Sequence, residues 1–256
     1  MSKKLTLVLC LGALVGAACT SSPAPTSSSR AGRTPAGPSP QASSHASDQP
    51  AVDPANFVAR IDNPYFSLIP GTTFVYEGTK DGEHQRDEVK VSAETKVILG
   101  VTCVLVNDVA SHNGTPLEVT KDWYTQDRDG NVWYFGEDTK ELDEHGNVVS
   151  TEGSWQAGVD GAEPGIFMPA HPQVTDSFRQ EFYKGHAEDM FWVLSLSQKV
   201  AVPQGSYQDA LLTMEWTPLD PKVIDQKYYV SGLGLVLEAS ATGPNERFQL
   251  VSVTKP

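Results

Sequence analysis

Residues 122–138 read DWYTQDRDGNVWYFGED. Two runs of aromatic and β-favouring residues flank Asp129-Gly130, which is the composition of a strand, a tight turn and a second strand. Successive side chains alternate along a strand, so Trp123 and Tyr124 must point to opposite faces, as must Trp133 and Tyr134. One set can fill a core. The other, with Phe135 and Trp155, is a candidate platform for an apolar or sugar ligand if it stays open and concave, and a second core if it is covered.

The same grammar recurs outward from this hairpin. Residues 72–78 (TTFVYEG) lead into the turn Lys80-Asp81-Gly82, then 88–93 (EVKVSA), 96–99 (KVIL), Gly100 and 101–107 (VTCVLVN). Asn113-Gly114 is a two-residue hairpin signal, and residues 117–125 follow it. Helical periodicity is nearly absent. The spacing predicts a mostly β fold of antiparallel sheet with few helices.

The second half matches the first in order and spacing. Phe74 corresponds to Phe178, Lys96-Val97 to Lys199-Val200, Trp123-Tyr124 to Tyr228-Tyr229, and Gly130 to Gly234. The intervals are 22, 27 and 7 residues in one copy and 21, 29 and 6 in the other. Two repeated halves, about 70–150 and 175–253, are therefore expected. Each would be a short sheet unable to bury its apolar face alone, so that together they make a single domain over 53–256. Between them, residues 151–174 carry Trp155, Ile166, Phe167 and Met168 and are expected to fold back over a sheet face.

Ahead of this domain lie two segments of another kind. The chain opens MSKK, runs LTLVLCLGALVGAA from Leu5 to Ala18 and reaches Cys19. A basic start, a short apolar stretch and small residues before a break have the form of an export signal over residues 1–18. Ala17-Ala18 before Cys19 resembles a bacterial lipobox, with Gly16 where that motif usually has Leu; this implies a lipoprotein whose Cys19 carries a diacylglycerol anchor and palmitate. Residues 19–52 hold nine Ser, six Pro and six Ala among 34 positions and show no apolar periodicity, which predicts a disordered tether. The expected location is the extracytoplasmic face of the cell membrane, lipid-anchored.

The whole chain has 256 residues and a formal net charge of −13. Residues 53–256 alone hold 15 Lys+Arg against 31 Asp+Glu, or −16. Such a balance argues against nucleic acid as a partner, since phosphate binding needs a positive footprint. Candidate chemistry is sparse. Aligning Asp127 and Asp129 with a calcium loop leaves its first Asp missing and puts Glu137 one place late, so the three are weak metal candidates. Glu137 and Asp138 are the carboxylates an extracellular hydrolase or carbohydrate-active enzyme would use. His84, His112, His145, His171 and His186 show no metal-ligand spacing. No Walker loop, nucleophile elbow or dinucleotide fingerprint occurs, and no cofactor is expected. Cys103, in an apolar strand pattern, reads as a buried thiol.

Residues 122–138, with 63–76 (NPYFSLIPGTTFVY), 94–104 (ETKVILGVTCV), 150–169 and 227–238, resemble a family of uncharacterised bacterial secreted and lipid-anchored proteins. The likeness covers nearly all of 53–253 and implies the same extracytoplasmic setting. More distantly, the pattern is similar to open half-barrel lipoproteins of the LolA and LppX kind, which implies a lipid-carrying fold. Three functional readings follow: a non-catalytic lipid-anchored protein binding an apolar small molecule, an extracellular hydrolase using acidic residues, or a calcium-dependent adhesion or scaffold module.

Overall fold

The computed structural model describes residues 52–256; the export signal, Cys19 and the tether to residue 51 lie outside it. The eleven longer strands of one 16-stranded antiparallel sheet are β1 (Thr73–Lys80), β2 (Glu83–Ile98), β3 (Val101–His112), β4 (Thr115–Asp127), β5 (Val132–Leu142), β6 (Glu163–Met168), β7 (Met190–Val202), β8 (Gly205–Trp216), β9 (Ile224–Val230), β10 (Gly234–Thr242) and β11 (Glu246–Thr254). The hydrogen-bonded order is β7-β8-β9-β10-β11-β1-β2-β3-β4-β5-β6, so neighbours in the sheet are neighbours in the chain except where β11 returns beside β1. The sheet is mostly antiparallel β, as the strand spacing predicts. The only helical turn among the described residues is Pro54–Asn56, and no helix there is long and apolar enough to cross a membrane.

Six residues close the sheet. Ser177–Arg179 pairs with β7 at one edge and Glu181–Phe182 with β6 at the other, leaving Gln180 alone between them. The Gln180 backbone N–H donates to the Asp189 carbonyl (2.8 Å), and its side-chain Nε2 donates to the Phe167 carbonyl (3.4 Å). Continuous chain therefore bridges the two edges and curls the sheet into a nearly closed barrel, which hides strand edges that would otherwise template pairing with other chains.

Local rules set the turns. Asp81-Gly82 and Asn113-Gly114 both take positive φ at each residue, the geometry whose twist matches right-handed strands. Leu99-Gly100 does the same, so Leu99 is a turn residue rather than the end of a strand. Residues 88–93 and 96–99 separate in the sequence, but the structure joins them in the 16-residue β2, whose register with β3 shifts between Val91 and Thr95. Ser92 Oγ accepts the Glu94 N–H there (2.9 Å), holding the irregular turn of backbone without breaking the strand.

A second irregularity decides which side chains face inward. Asp122 pairs with Glu137 and Tyr124 with Tyr134, so Phe135 and Gly136 together oppose Trp123. Gly136 has φ +136°, and a Cβ there would stand 2.4 Å from the Trp155 carbonyl oxygen. Only glycine suits this bulge, and the bulge brings Glu137 onto the same face as Tyr134. Residues 151–174 become part of the wall: Trp155–Gln156 pairs with β5 at Glu137 and Gly136, and β6 runs beside β5 from the other end.

Candidate functional site

Paired residues of an antiparallel sheet share a face, so the registers trace what lines the barrel. Tyr76 lies opposite Asp87, Asp87 opposite Ala110, Ala110 opposite Glu118. On the far wall Thr213 lies opposite Lys227, Lys227 opposite Glu238, and Glu238 opposite Phe248. These side chains point to the inside and are nearly all buried. The lumen has two ends of unlike chemistry, one acidic and one aromatic.

At the acidic end, nine Asp or Glu and two Lys among the described residues are buried. Lys80 Nζ meets Glu246 Oε2 at 3.0 Å. Lys227 Nζ meets Glu215 Oε2 at 2.9 Å and Glu238 Oε1 at 3.8 Å. Hydroxyls complete the pairing: Thr213 and Tyr229 both donate to Glu215 Oε1 (3.0 and 3.2 Å), Tyr134 donates to Asp122 (2.6 Å), and Thr139 donates to Glu137 (2.8 Å).

Two ammonium groups cannot balance this many carboxylates in a medium that solvates charge poorly, and burial raises Asp87, Glu118, Glu137, Glu181, Asp189 and Glu238 toward the protonated form. Burial, reinforced by Asp108, pushes Glu118 up to about 8. Burial also lifts Asp189 to about 7, against the opposing pull of Lys227. Asp87 and Glu137 stand well above the ordinary carboxylate range through burial first, then through Asp108 and Glu181 respectively. Burial works against the Lys227 ammonium, yet Glu215 and Glu238 more than offset it and its pKa is raised.

The aromatic end is capped. Ile61–Asn63 and Phe66–Leu68 pair only with each other, as a hairpin lying over the barrel mouth. Its attachment to the barrel is largely through side chains. Gln126 Oε1 accepts the backbone N–H groups of Asp62 and Asn63 (2.9 and 3.0 Å), and Asn63 Nδ2 donates to the carbonyls of Gly130 and Pro169 (3.0 and 3.1 Å). Phe66 packs on Phe167 and Tyr124 at ring-centre distances of 4.5 and 5.1 Å. Beneath it a cavity of about 50 Å³, walled by Phe74, Val106, Leu235 and neighbouring rings, reaches Tyr229 and Lys227 at its floor.

The aromatic block from the hairpin at Asp129-Gly130 is shared between two faces. Tyr124 and Tyr134 stack inside the barrel at 4.7 Å, and Trp155 meets Tyr134 edge-on at 5.4 Å. Trp123 is on the outer face, buried, with Lys96 Nζ over its ring at 3.4 Å. Phe57 lies edge-on to Trp133 and Phe135, so the segment before β1 covers that side. Of the six platform candidates, all but half-buried Trp133 are buried.

Asp127 caps its own turn: one oxygen accepts the N–H groups of Asp129 and Asn131, the other accepts Asn131 Nδ2 and Trp133 Nε1. Glu137 is inside the barrel, whereas Asp129 is exposed on the turn. Among the described residues no three His, Cys, Asp or Glu come together as metal ligands. Asp138 faces away from Glu137 and pairs with Lys140 at 2.7 Å, so the two adjacent carboxylates are not a convergent pair. Cys103 is fully buried, its thiol pushed up to about 12 by burial. Apart from Glu137, the residues that line the acidic lumen were not among the sequence candidates, although an every-second-residue pattern marks them: Glu118, Thr120, Asp122 on β4; Glu137, Thr139, Glu141 on β5; Thr213, Glu215, Thr217 on and after β8.

No family model matches the chain, and no curated protein matches it. Two solved structures resemble it distantly. One is a protein described as exported, with a YmcC-like fold, from Bacteroides fragilis: 13% identity and a TM-score of 0.40 over 76% of this chain and 100% of the other. The second is described as a lipoprotein from Parabacteroides distasonis: 12% identity and a TM-score of 0.42 over 77% of this chain and 100% of that one.

Proposed function

We propose that this chain is a non-catalytic, lipid-anchored protein of the extracytoplasmic membrane face that takes an apolar ligand beneath the 61–68 hairpin. The observation that carries the reading is the cavity itself, which is apolar on its walls, roofed by Phe66 and Leu68, and closed by a hairpin that shares no strand ladder with the barrel. Its volume of about 50 Å³ suits a few water molecules and not an acyl chain, so loading requires the hairpin to lift. Lifting it would break the side-chain contacts of Gln126 and Asn63 and the bond from the Gly232 N–H to the Pro64 carbonyl (2.7 Å). The address rests on the sequence: the export signal, the lipobox-like Ala17-Ala18-Cys19 and the long Ser/Pro/Ala tether.

The environment-sensitive probe N-phenyl-1-naphthylamine tests the cavity. Saturable fluorescence enhancement is expected with the full chain. Gln126→Ala, which frees the hairpin, should tighten binding several-fold by lowering the cost of opening. Leu235→Glu, which places a carboxylate in the wall, should abolish it while the protein still melts cooperatively. No saturable signal, or an unchanged signal in Leu235→Glu, overturns the reading. The anchor is tested separately: radiolabelled palmitate should enter the full chain in cells and be absent from Cys19→Ser, and label persisting in that variant overturns it.

A further inference from the structure

We propose that the carboxylate-lined end of the lumen is a binding site for organic amines, with polyamines the class that fits it. This site lies beyond the apolar cavity, and the inference does not depend on that cavity being filled.

Charge imbalance is the first argument. Nine buried carboxyl groups face two lysines, and both lysines are already engaged, Lys80 by Glu246 and Lys227 by Glu215. The second argument is independent of charge. Gln85 is fully buried on β2, yet neither its Nε2 nor its Oε1 makes a hydrogen bond. Gln85 lies opposite Gly78, which lies opposite Phe248, and this places it on the inward face beside Asp87. Glu181 is also fully buried, on the segment that closes the barrel, and faces the Trp155 indole N–H without a hydrogen bond of ordinary geometry to either oxygen. Asp122, Asp189 and Lys227 are near enough to act on its charge. Buried polar groups ordinarily find partners, so the unpaired Gln85 amide and the poorly satisfied Glu181 carboxylate mark positions where a ligand's donors belong.

The geometry favours an amine over a metal. A divalent cation needs several oxygens converging at roughly 2.0–2.6 Å, and no three such ligands converge among the described residues. Primary ammonium groups instead take separate hydrogen bonds, three per nitrogen, from oxygens at ordinary spacing. A flexible chain carrying two or three of them can reach acids distributed around a lumen. At its rim Glu141, Asp225 and Glu246 are half-buried, which leaves acceptors in contact with solvent to draw a cation inward. As the ammonium enters, a neutral carboxyl near it ionises, and its proton leaves for solvent.

Calorimetric titration of the detergent-solubilised full chain with spermidine, at pH 7 and 150 mM salt in two buffers of different ionisation enthalpy, tests this. Saturable binding near one ligand per chain is expected, with buffer-dependent heats that report proton release. The double variant Glu137→Gln/Glu181→Gln keeps shape and neutral hydrogen bonding and should weaken binding by about tenfold or more. Gln85→Leu removes an orphaned amide, so it should raise the melting temperature while weakening spermidine; this keeps the test decisive if the double variant folds poorly. Asp143→Asn/Glu144→Gln, on the exposed turn, should change nothing. Absence of saturable heat, equal loss in the exposed-turn variant, or displacement of spermidine by equimolar magnesium would each overturn the proposal.

Discussion

The melting temperature should fall as pH rises from 5 to 8, the reverse of the usual acid lability. Each lumen carboxyl with a raised pKa holds its proton in the folded barrel but releases it in the unfolded chain. Between the ordinary value and the raised one the folded state therefore binds more protons, and stability declines with pH. For Glu118 that window runs from 4.5 to about 8, and for Asp189 from 3.8 to about 7. Below about pH 4 these contributions are fully present; above about pH 8 they are gone. One group contributes at most ~1.4 kcal/mol per pH unit within its window, and neighbouring acids share protons, so the sum is smaller than the parts. A net loss of several kcal/mol corresponds to a fall on the order of 10 °C for a domain of this size. Melts followed by circular dichroism at pH 5, 6.5 and 8, at constant ionic strength, measure it. Glu118→Gln should flatten the profile. A melting temperature that is level or rises over this range would show that the interior acids ionise freely.

Why the acidic lumen was illegible in the sequence has a physical answer. Polar residues at every second position of a strand ordinarily mark the face that meets water, and Glu118-x-Thr120-x-Asp122 fits that description. Closing the sheet reverses the assignment, and closure depends on residues 177–182, four of which are polar or charged in a stretch with no strand signature of its own. Turns fared better because their cause is local: Asp81-Gly82 and Asn113-Gly114 need positive φ whatever surrounds them. Alternation also separated Tyr124 from Trp123 correctly. It could not foresee the Gly136 bulge, where one extra residue moves Glu137 from the side of Phe135 to the side of Tyr134. The candidate pair Glu137 and Asp138 was visible as two adjacent acids. Its division into a buried group and a Lys140-paired surface group needs the sheet.

Lys227→Met should be the most damaging single substitution in the barrel, and the damage should depend on pH. Methionine matches the length of the lysine stem, so packing changes little. The ammonium is lost from between Glu215 and Glu238, leaving Glu215 in the interior with only the hydroxyls of Thr213 and Tyr229. Removing one partner of a buried ion pair typically costs about 3–5 kcal/mol, because the other charge must stay unpaired or take up a proton. Lys227 also pulls down the carboxyls of Glu238 and Asp189, which burial raises, so without it ionising this interior costs most at pH 8 and least at pH 5. Urea unfolding at the two pH values separates charge from packing. An equal loss at both would mean that Lys227 acts only as filler. Glu215→Gln in the Lys227→Met background supplies the second check: its amide oxygen can accept both hydroxyls without carrying charge, so much of the stability at pH 8 should return. Failure to recover there, with Gln substituted for the acid that needs the lysine most, would mean that the pair does not govern the stability of the acidic interior.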